Sequence, residues 1–486
     1  MKLTVKIKDQ IKQIQLNKGD NLLKILHSNG IFINAYCGGK GICKKCIVRF
    51  LENTPEPLKI EKEALADKIE EGYRLACLHN IEKDATVEIE ALKPIFSDFL
   101  ANVCCDDDKT HIAIDIGTTT IAAAMVENKK ITNSISLLNP QIAFGGDVIS
   151  RIASSNEGNF NTLSSILKDS INDIISSLKK PSSMVICANP TMLSFFLGLN
   201  PKSIGEYPYT PPFKGSLTTQ FSDIDIYIPP VIGAFVGSDI TSALSLLPEN
   251  EDFLFIDIGT NCEFILKIKD NYFSSSVPAG PALEGTNIDY GSIAQNGAIY
   301  KVSFENGIKV YTINNKKPTG ITGSGLISVI ALLRKFGIID KTGRLVEPWE
   351  AEAPFSIINR IKGKGFLLTD DIYLTQNSIR NFQLVKASLN AGLELLLKKI
   401  GQKLPNKIFI GGGFSKSLSR DEIINSGLLS FEGEFVMLQN SSLAGGLRLF
   451  CLKEREKVER LSKKIKYIEI ANEADFERLY IKKMDF

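Results

Sequence analysis

Apolar and polar positions alternate from the first residues of the chain. In Met1-Lys-Leu-Thr-Val-Lys-Ile-Lys, Leu3, Val5 and Ile7 share one face, the period of a half-buried strand. Ile11, Ile14 and Leu16 predict its hairpin partner. From residue 20 the period lengthens. Leu22, Leu23 and Leu26 fall on one side of a short helix over 20–27, with Asp20 as its N-cap. A strand over 47–51, a charged helix over 62–71 and a last strand over 86–91 complete a small unit of residues 1–92. Pro94 and the run Asp106-Asp107-Asp108 mark 93–108 as a linker on which that unit swings.

Beyond the linker the pattern repeats itself. His111-Ile-Ala-Ile-Asp115-Ile-Gly117-Thr118-Thr119-Thr120 returns as Phe253-Leu-Phe-Ile-Asp257-Ile-Gly259-Thr260-Asn261, the two aspartates 142 positions apart. Each copy is an apolar strand running into Asp-Ile-Gly-Thr and then a second apolar strand. Two copies at that spacing predict a duplicated α/β body with halves 109–248 and 249–486, the last segment packing back on the first half.

The repeat carries phosphate chemistry. Gly117 and Gly259 let a turn approach a phosphate closely, and the side chains of Thr118, Thr119, Thr260 and Asn261 donate with the turn amides to its oxygens. Asp115 and Asp257, fixed at strand ends, can hold the water shell of Mg²⁺ or orient an attacking water. The plainer reading is that these threonines only satisfy turn backbones; the duplication weighs against it. Gly323-Ser324-Gly325 opens an apolar helix whose N-terminus attracts an anion. Gly411-Gly412-Gly413 ends a strand where an adenosine could lie flat on backbone, and Glu284 places a carboxylate between two tight turns.

Composition narrows the class. Of 486 residues 44% are hydrophobic and 23% charged, and the net charge is +2, which gives no electrostatic case for nucleic acid or an anionic membrane. No apolar run approaches the roughly 18–20 residues of a membrane span, and the N-terminus lacks a signal-peptide core, so a cytoplasmic location is expected.

Four of the nine cysteines are patterned: Cys37, Cys43 and Cys46 in Cys-Gly-Gly-Lys-Gly-Ile-Cys-Lys-Lys-Cys, then Cys77. Thiolates select iron–sulfur clusters, zinc or Cu(I). Only Cys43 and Cys46 form a CxxC pair, so the spacing favours a [2Fe–2S] ferredoxin over a zinc ribbon, with structural zinc and unligated thiols left open. Gly38, Gly39 and Gly41 let backbone amides turn toward cluster sulfurs. With the element order of residues 1–92, this reads as a β-grasp ferredoxin. Cys187, Cys262 and Cys451 read as core thiols, and adjacent Cys104 and Cys105 as incidental linker residues.

The phosphate-handling half resembles the ASKHA superfamily of actin, sugar kinases and Hsp70-type ATPases. Behind a [2Fe–2S] domain it is similar to the reductive activators of corrinoid proteins. The resemblance spans nearly the whole chain and includes Gly145-Gly-Asp147-Val-Ile-Ser-Arg151, Phe235-Val-Gly237-Ser238-Asp239, Pro278-Ala-Gly280-Pro-Ala-Leu-Glu284-Gly285 and Ser441-Ser442-Leu-Ala-Gly445-Gly446. It implies a β-grasp ferredoxin joined to a duplicated RNase H-like, actin/Hsp70-type ATPase. Such a protein takes a [2Fe–2S] cluster, ATP and Mg²⁺, with Asp115, Asp257 and Glu284 as catalytic carboxylates. It implies delivery of one electron to convert a corrinoid's Co(II) to Co(I). The partners are a corrinoid protein of a methyltransferase system and an upstream low-potential donor, with no nucleic acid and no membrane; a homodimer stays open.

Three departures from the family pattern stand out. Ala188-Asn189-Pro190-Thr191-Met192 replaces Gly-Asn-Thr-Thr-Met, Cys262 replaces a glycine after the second Asp-Ile-Gly-Thr-Asn, and Thr322 replaces a cysteine before Gly323. Pro190 and Cys262 are expected to alter the cleft. The rival readings are an ATP-gated donor to another metalloenzyme such as a dehydratase, a kinase with an accessory cluster, and a non-catalytic redox sensor.

Overall fold

The computed structural model describes residues 1–486 except 8–9, 30, 32, 34–38, 40, 42–43, 45, 90–94, 97–98, 100 and 414–416, and the side chains of 67, 95 and 96. The N-terminal sheet contains β1 (Lys2–Ile7), β2 (Gln10–Gln15), β3 (Ile47–Glu52), β4 (Tyr73–Leu75) and β5 (Ala85–Glu88) in the order β2-β1-β5-β3-β4. β1 runs parallel to β5, and the other pairings are antiparallel. Leu3 and Val5 pair with Ala85 and Val87 and face the buried side of the helix Leu22–Ser28, which contributes Leu22, Leu23 and Leu26. This is the expected β-grasp.

Local details differ from the sequence reading. Asn21, one residue on from Asp20, caps the helix by accepting from the Lys24 amide, while the Asp20 carboxylate accepts from the Asn17 amide at 2.8 Å and closes the preceding turn. Ile11 is 64% exposed because it pairs with Lys6 on the outer face of the sheet, whereas Ile14 pairs with buried Leu3. The charged helix lies earlier, at Lys59–Leu65, followed by a 3₁₀ turn at Ala66–Ile69.

Two larger sheets follow. The first holds β6 (Ile95–Phe96), β7 (His111–Ile116), β8 (Thr120–Glu127), β9 (Lys130–Leu138), β10 (Ser183–Ala188), β11 (Gly215–Phe221) and β12 (Ile224–Val231), ordered β11-β12-β10-β7-β8-β9-β6. The second begins with β13 (Phe253–Ile258), β14 (Asn261–Ile268) and β15 (Asn271–Pro278). Two small sheets are inserted next: β16 (Ala298–Phe304), β17 (Ile308–Thr312) and β18 (Gly320–Ile321), then β19 (Ile361–Lys362), β20 (Gly365–Leu367) and β21 (Tyr373–Leu374). β22 (Lys407–Gly411), β23 (Glu434–Met437) and β24 (Ile465–Tyr467) complete the order β23-β22-β13-β14-β15-β24.

The duplication is explicit in this topology. β7-β8-β9 and β13-β14-β15 are antiparallel meanders. Each first strand is flanked by two parallel strands, β10 and β12 in one half and β22 and β23 in the other.

Alternation along the repeated strands sorts their side chains into separate cores. Ile112, Ile114 and Ile116 pack with Leu163, Leu167 and Ile171 of the helix Phe160–Leu178, while Leu254, Ile256 and Ile258 pack in the core of the second half. The opposite faces, with Ala113, Cys187, Phe253, Phe255 and Phe409, meet Leu443 and Leu447 in a core shared by both halves.

The C-terminal segment closes that shared core. The helix Leu452–Ser462 lies on the first half, where Glu459 accepts from Ser216 Oγ at 2.9 Å and Tyr227 OH at 3.1 Å. The chain then returns to the second half: β24 pairs parallel to β15, and the helix Ala474–Lys482 packs on the helix Gln376–Ile400.

The expected swinging linker is largely laid down on the second body over its described part. β6 pairs with β9, Phe99 is buried in the shared core, and the Cys104 amide donates to Leu447 O at 3.3 Å. His27, at the end of the ferredoxin helix, meets Phe144 of the second body with ring centroids 5.5 Å apart and the rings tilted by 38°. Among the described residues no helix is long and apolar enough to cross a membrane.

Gly445 sets the contact between the C-terminal segment and the first half, since a Cβ there would lie 2.3 Å from Ser242 O. Gly445→Ala is expected to cost about 1–3 kcal/mol of stability in denaturant titrations. Gly363→Ala, in open space, is expected to change it by less than about 0.5 kcal/mol.

Candidate active site

The two Asp-Ile-Gly-Thr turns face one another across the junction of the halves. Each is closed by its glycine amide, but the second is one residue tighter: the Gly117 amide donates to Thr120 O and the Gly259 amide to Asn261 O, each at 2.9 Å. A Cβ at Gly117 would sit 2.7 Å from Thr120 O, which reserves the position for glycine. Thr118, Thr119 and Thr260 are buried. Thr118 Oγ1 accepts from Asn189 Nδ2 at 3.2 Å.

Glu284 joins the two turns. One carboxylate oxygen accepts from Thr119 of the first half and the other from Thr260 of the second, the latter at 2.6 Å. A phosphate entering the cleft would meet the same two hydroxyl donors. Beneath the first turn lies Arg151, fully buried, donating to Thr118 O, to Gly145 O at 2.9 Å and to Gln141 Oε1 at 3.3 Å. Burial lowers its pKa to about 9, and the nearby Glu284 charge opposes that drop. A cation under a phosphate turn raises the local affinity for an anion.

The predicted aspartates share one support. Asp115 Oδ1 accepts from Ser442 Oγ and Asp257 Oδ2 from Ser441 Oγ, both at 2.7 Å, so two consecutive residues of the helix Ser441–Gly446 hold the aspartates of both halves. Two further carboxylates, absent from the sequence-derived site, lie in the same electrostatic neighbourhood. Asp239 sits in the helix Ser238–Ser242, and Glu263 pairs across from Asp257 in β14. Burial pushes Asp115 up to about 7 and Asp239 to about 8, with neighbouring acids adding to both. Burial likewise raises Asp257, and raises Glu263 well above the usual carboxylate range.

Among the described residues these carboxylates do not converge within direct ligating distance as a set of three. That arrangement fits Mg²⁺, which keeps most of its waters and takes one or two carboxylates plus substrate phosphates.

The glycine clusters divide in role. A Cβ at Gly323 would lie 1.7 Å from Leu283 O, and one at Gly325 2.2 Å from Ile299 O, so these glycines pack the helix Gly323–Lys335 against backbone. Ser324 is buried, with its Oγ 3.0 Å from Thr322 Oγ1. Gly411 is likewise pressed against Ser441 and Asp257, whereas Gly413 faces open space.

The three departures are absorbed locally. Pro190 takes the first position of the helix Pro190–Leu197, where no amide partner is needed, and Asn189 caps it. Thr322 caps the helix Gly323–Lys335 through the Gly325 amide at 3.1 Å. Cys262 is buried in β14 opposite Ile258.

In the ferredoxin domain Cys37 and Cys43 lie outside the described residues. Cys46 ends the loop immediately before β3, and the Ala76 amide donates to its carbonyl at 2.8 Å, which sets Cys46 beside the turn carrying Cys77. Gly39 and Gly41 have φ of +84° and +75° and cover that turn so closely that their Cβ atoms would meet Leu23 at 3.3 Å and Leu78 at 2.9 Å. A bare-backbone loop over thiol donors is the cradle a [2Fe–2S] cluster needs. The Cys77 turn is anchored by fully buried Glu61, which accepts from the Leu75 amide at 2.7 Å and lies 2.9 Å from His79 Nε2.

A β-grasp cysteine domain joined to a duplicated body with an Asp-Ile-Gly-Thr turn in each half defines an iron–sulfur protein fused to an ASKHA-type ATPase. Comparison with known proteins resolves the class. Residues 5–82 match the 2Fe-2S iron-sulfur cluster binding domain, 110–247 the RACo middle region, and 251–486 the C-terminal domain of RACo, the ASKHA domain. Behind its 2Fe-2S domain the chain thus carries the RACo middle region and the C-terminal ASKHA domain of RACo.

It is 28% identical to the corrinoid activation enzyme RamQ of Eubacterium limosum, over 97% of both chains. It is 25% identical to the [Co(II) methylated amine-specific corrinoid protein] reductase of Methanosarcina barkeri, over 48% of this chain and 52% of that one. The solved structure of a reductive activator for corrinoid, iron-sulfur protein matches with a TM-score of 0.69 at 25% identity, over 100% of this chain and 98% of that one.

The raised carboxylates make cation binding pH-dependent. With folded-state values near 7 and 8 for Asp115 and Asp239 against 3.8 for the free side chain, the cation-free fold binds protons that the unfolded chain has lost. These two groups therefore make its stability fall as pH rises from about 4 to 8. Mg²⁺·ATP, which needs the charged forms, is expected to bind more tightly and stabilise more at pH 8 than at pH 6. Thermal melts with and without Mg²⁺·ATP check this, and Asp239→Asn is expected to flatten the dependence.

Proposed function

We propose that this chain uses ATP to drive one electron onto the corrinoid cobalt of a partner protein, converting Co(II) to Co(I), with its N-terminal cluster as immediate donor. The observation that carries the reading is a single chain that joins a cysteine cradle to a two-halved phosphate cleft, over the full length shared with a corrinoid activation enzyme. Cys37, Cys43, Cys46 and Cys77 would hold the [2Fe–2S] cluster, which when bound supplies a one-electron carrier.

In the cleft, the turns at Gly117-Thr118-Thr119 and Gly259-Thr260-Asn261 bind the nucleotide phosphates, displacing Glu284 from its two threonine hydroxyls. Asp115 and Asp257 would hold the magnesium waters and orient the attacking water, with Asp239 and Glu263, whose burial disfavours the charged form, in the same electrostatic neighbourhood. Glu284, once displaced, is a carboxylate within reach of the transferred phosphoryl group. Ser324 stands at the helix start beside Glu284's turn, and Gly413, which faces open space next to Gly411 and Gly412, offers backbone for adenosine.

Reduction of Co(II) by a ferredoxin is uphill, and each 59 mV of a one-electron step costs about 1.4 kcal/mol. ATP can meet a deficit of about 100–200 mV if the closed and open clefts bind the partner with affinities that differ by roughly 2.5–5 kcal/mol. The partner is the corrinoid protein of a methyltransferase system, fed by an upstream low-potential donor.

An anaerobic absorbance assay of Co(II)-to-Co(I) conversion against candidate corrinoid proteins tests the reading. ATP is expected to be required, and Asp257→Ala to slow its turnover by about 10²–10⁴-fold. Cys43→Ala should abolish cobalt reduction while leaving nucleotide binding intact. Equal reduction with and without ATP would overturn the proposal.

A further inference from the structure

At the end of the linker, away from both the cysteine cradle and the cleft, Cys105, Asp107 and His111 bring a sulfur, a carboxylate oxygen and a ring nitrogen within 4.8 Å of one another. Three different elements fix these donors. Cys105 is bridged in parallel to Phe450, just ahead of the helix Leu452–Ser462, and its thiol donates to Asp107 O at 3.2 Å. Asp107 Oδ1 accepts from the Lys109 amide at 2.9 Å.

His111 opens β7 and is buried, its ring stacked on Phe450 with centroids 4.7 Å apart. Its Nδ1 lies 2.9 Å from Ser183 Oγ and its Nε2 2.7 Å from Asp107 Oδ1. An imidazole with one nitrogen committed to an outer partner and the other aimed at anionic donors is oriented as metal-bound histidines are.

We propose that Cys105, Asp107 and His111 form a Zn²⁺ site. One thiolate, one imidazole and one carboxylate suit this borderline cation, and three protein ligands leave a fourth tetrahedral position for water. Binding forms a Zn–S bond and releases the Cys105 thiol proton to solvent, while the zinc takes the place between His111 and Asp107 now spanned by their hydrogen bond. No electron changes hands. The ion fastens the last residues of the linker to the first strand of the ATPase body. That fixes the point from which the ferredoxin domain is tethered.

Full-length protein carrying its iron is the material for the test. It is titrated with zinc sulfate, passed through a desalting column with a competing chromophoric chelator, and measured for zinc, iron and zinc K-edge absorption fine structure. The expected result is one zinc per chain beyond the iron, with one sulfur near about 2.3 Å and nitrogen or oxygen ligands near about 2.0–2.1 Å. Cys105→Ser should remove the sulfur shell. Ser183→Ala, which touches no ligand atom but the far ring nitrogen, should weaken zinc by about 10–100-fold. Unchanged thermal stabilisation by Mg²⁺·ATP, which reads the second body, together with unchanged iron content, certifies that both variants fold. Zinc in an all-sulfur shell, zinc unaffected by Cys105→Ser, or no retained zinc would each overturn the site.

Discussion

Five carboxylates, Asp115, Asp239, Asp257, Glu263 and Glu284, influence one another where the two halves meet, and burial pushes Asp115, Asp239, Asp257 and Glu263 toward their neutral forms. Two like charges 4 Å apart repel by about 4 kcal/mol at the effective dielectric of a protein near its surface, so the group cannot be fully charged without a cation. Its surroundings meet that constraint with hydroxyl donors from Thr119, Thr260, Ser441 and Ser442 and with buried Arg151 under the first turn. The ordering of the phosphate turns, the placement of the C-terminal helix and the pH response follow from holding these acids together.

The fold was legible where chemistry is local and periodic. Alternation in β1 and the helical face of Leu22, Leu23 and Leu26 announced the β-grasp, and the repeated Asp-Ile-Gly-Thr announced the duplication. The cap at Asn21 was one residue off because Asp20 and Asn21 are equally good capping side chains, and only the turn with Asn17 decides between them. Ile11 lies three residues from Ile14, so the period of two already sets it on the outer face, opposite Lys6.

The site was legible in part. Glu263 carries a signal that could have been used, since an acid inside the apolar strand Asn261–Ile268 must be buried for a reason; its counterpart in the first half is Ala122, opposite Asp115. Arg151 carries none, because its role depends on carbonyls that only the folded turn brings together. The same holds for Ser441 and Ser442, which act on residues 184 and 327 positions away, respectively. Cys262 is the core thiol that its apolar run announced, while Pro190 and Thr322 serve as a helix start and a cap. The linker read as a free tether because its charged residues look solvated, yet its apolar members, Phe99 above all, are drawn into the shared core.

The serine pair has a mechanical consequence. Adjacent Cα atoms are fixed 3.8 Å apart, so the hydroxyls of Ser441 and Ser442 cannot separate the way residues on two different elements can. As long as both hydrogen bonds last, the two halves can rotate about this point but cannot translate away from it. The helix Ser441–Gly446 is then a fulcrum: displacement at the far rim of the cleft grows with distance from it, and a small angular change at the two aspartates becomes a large excursion at the outer surfaces.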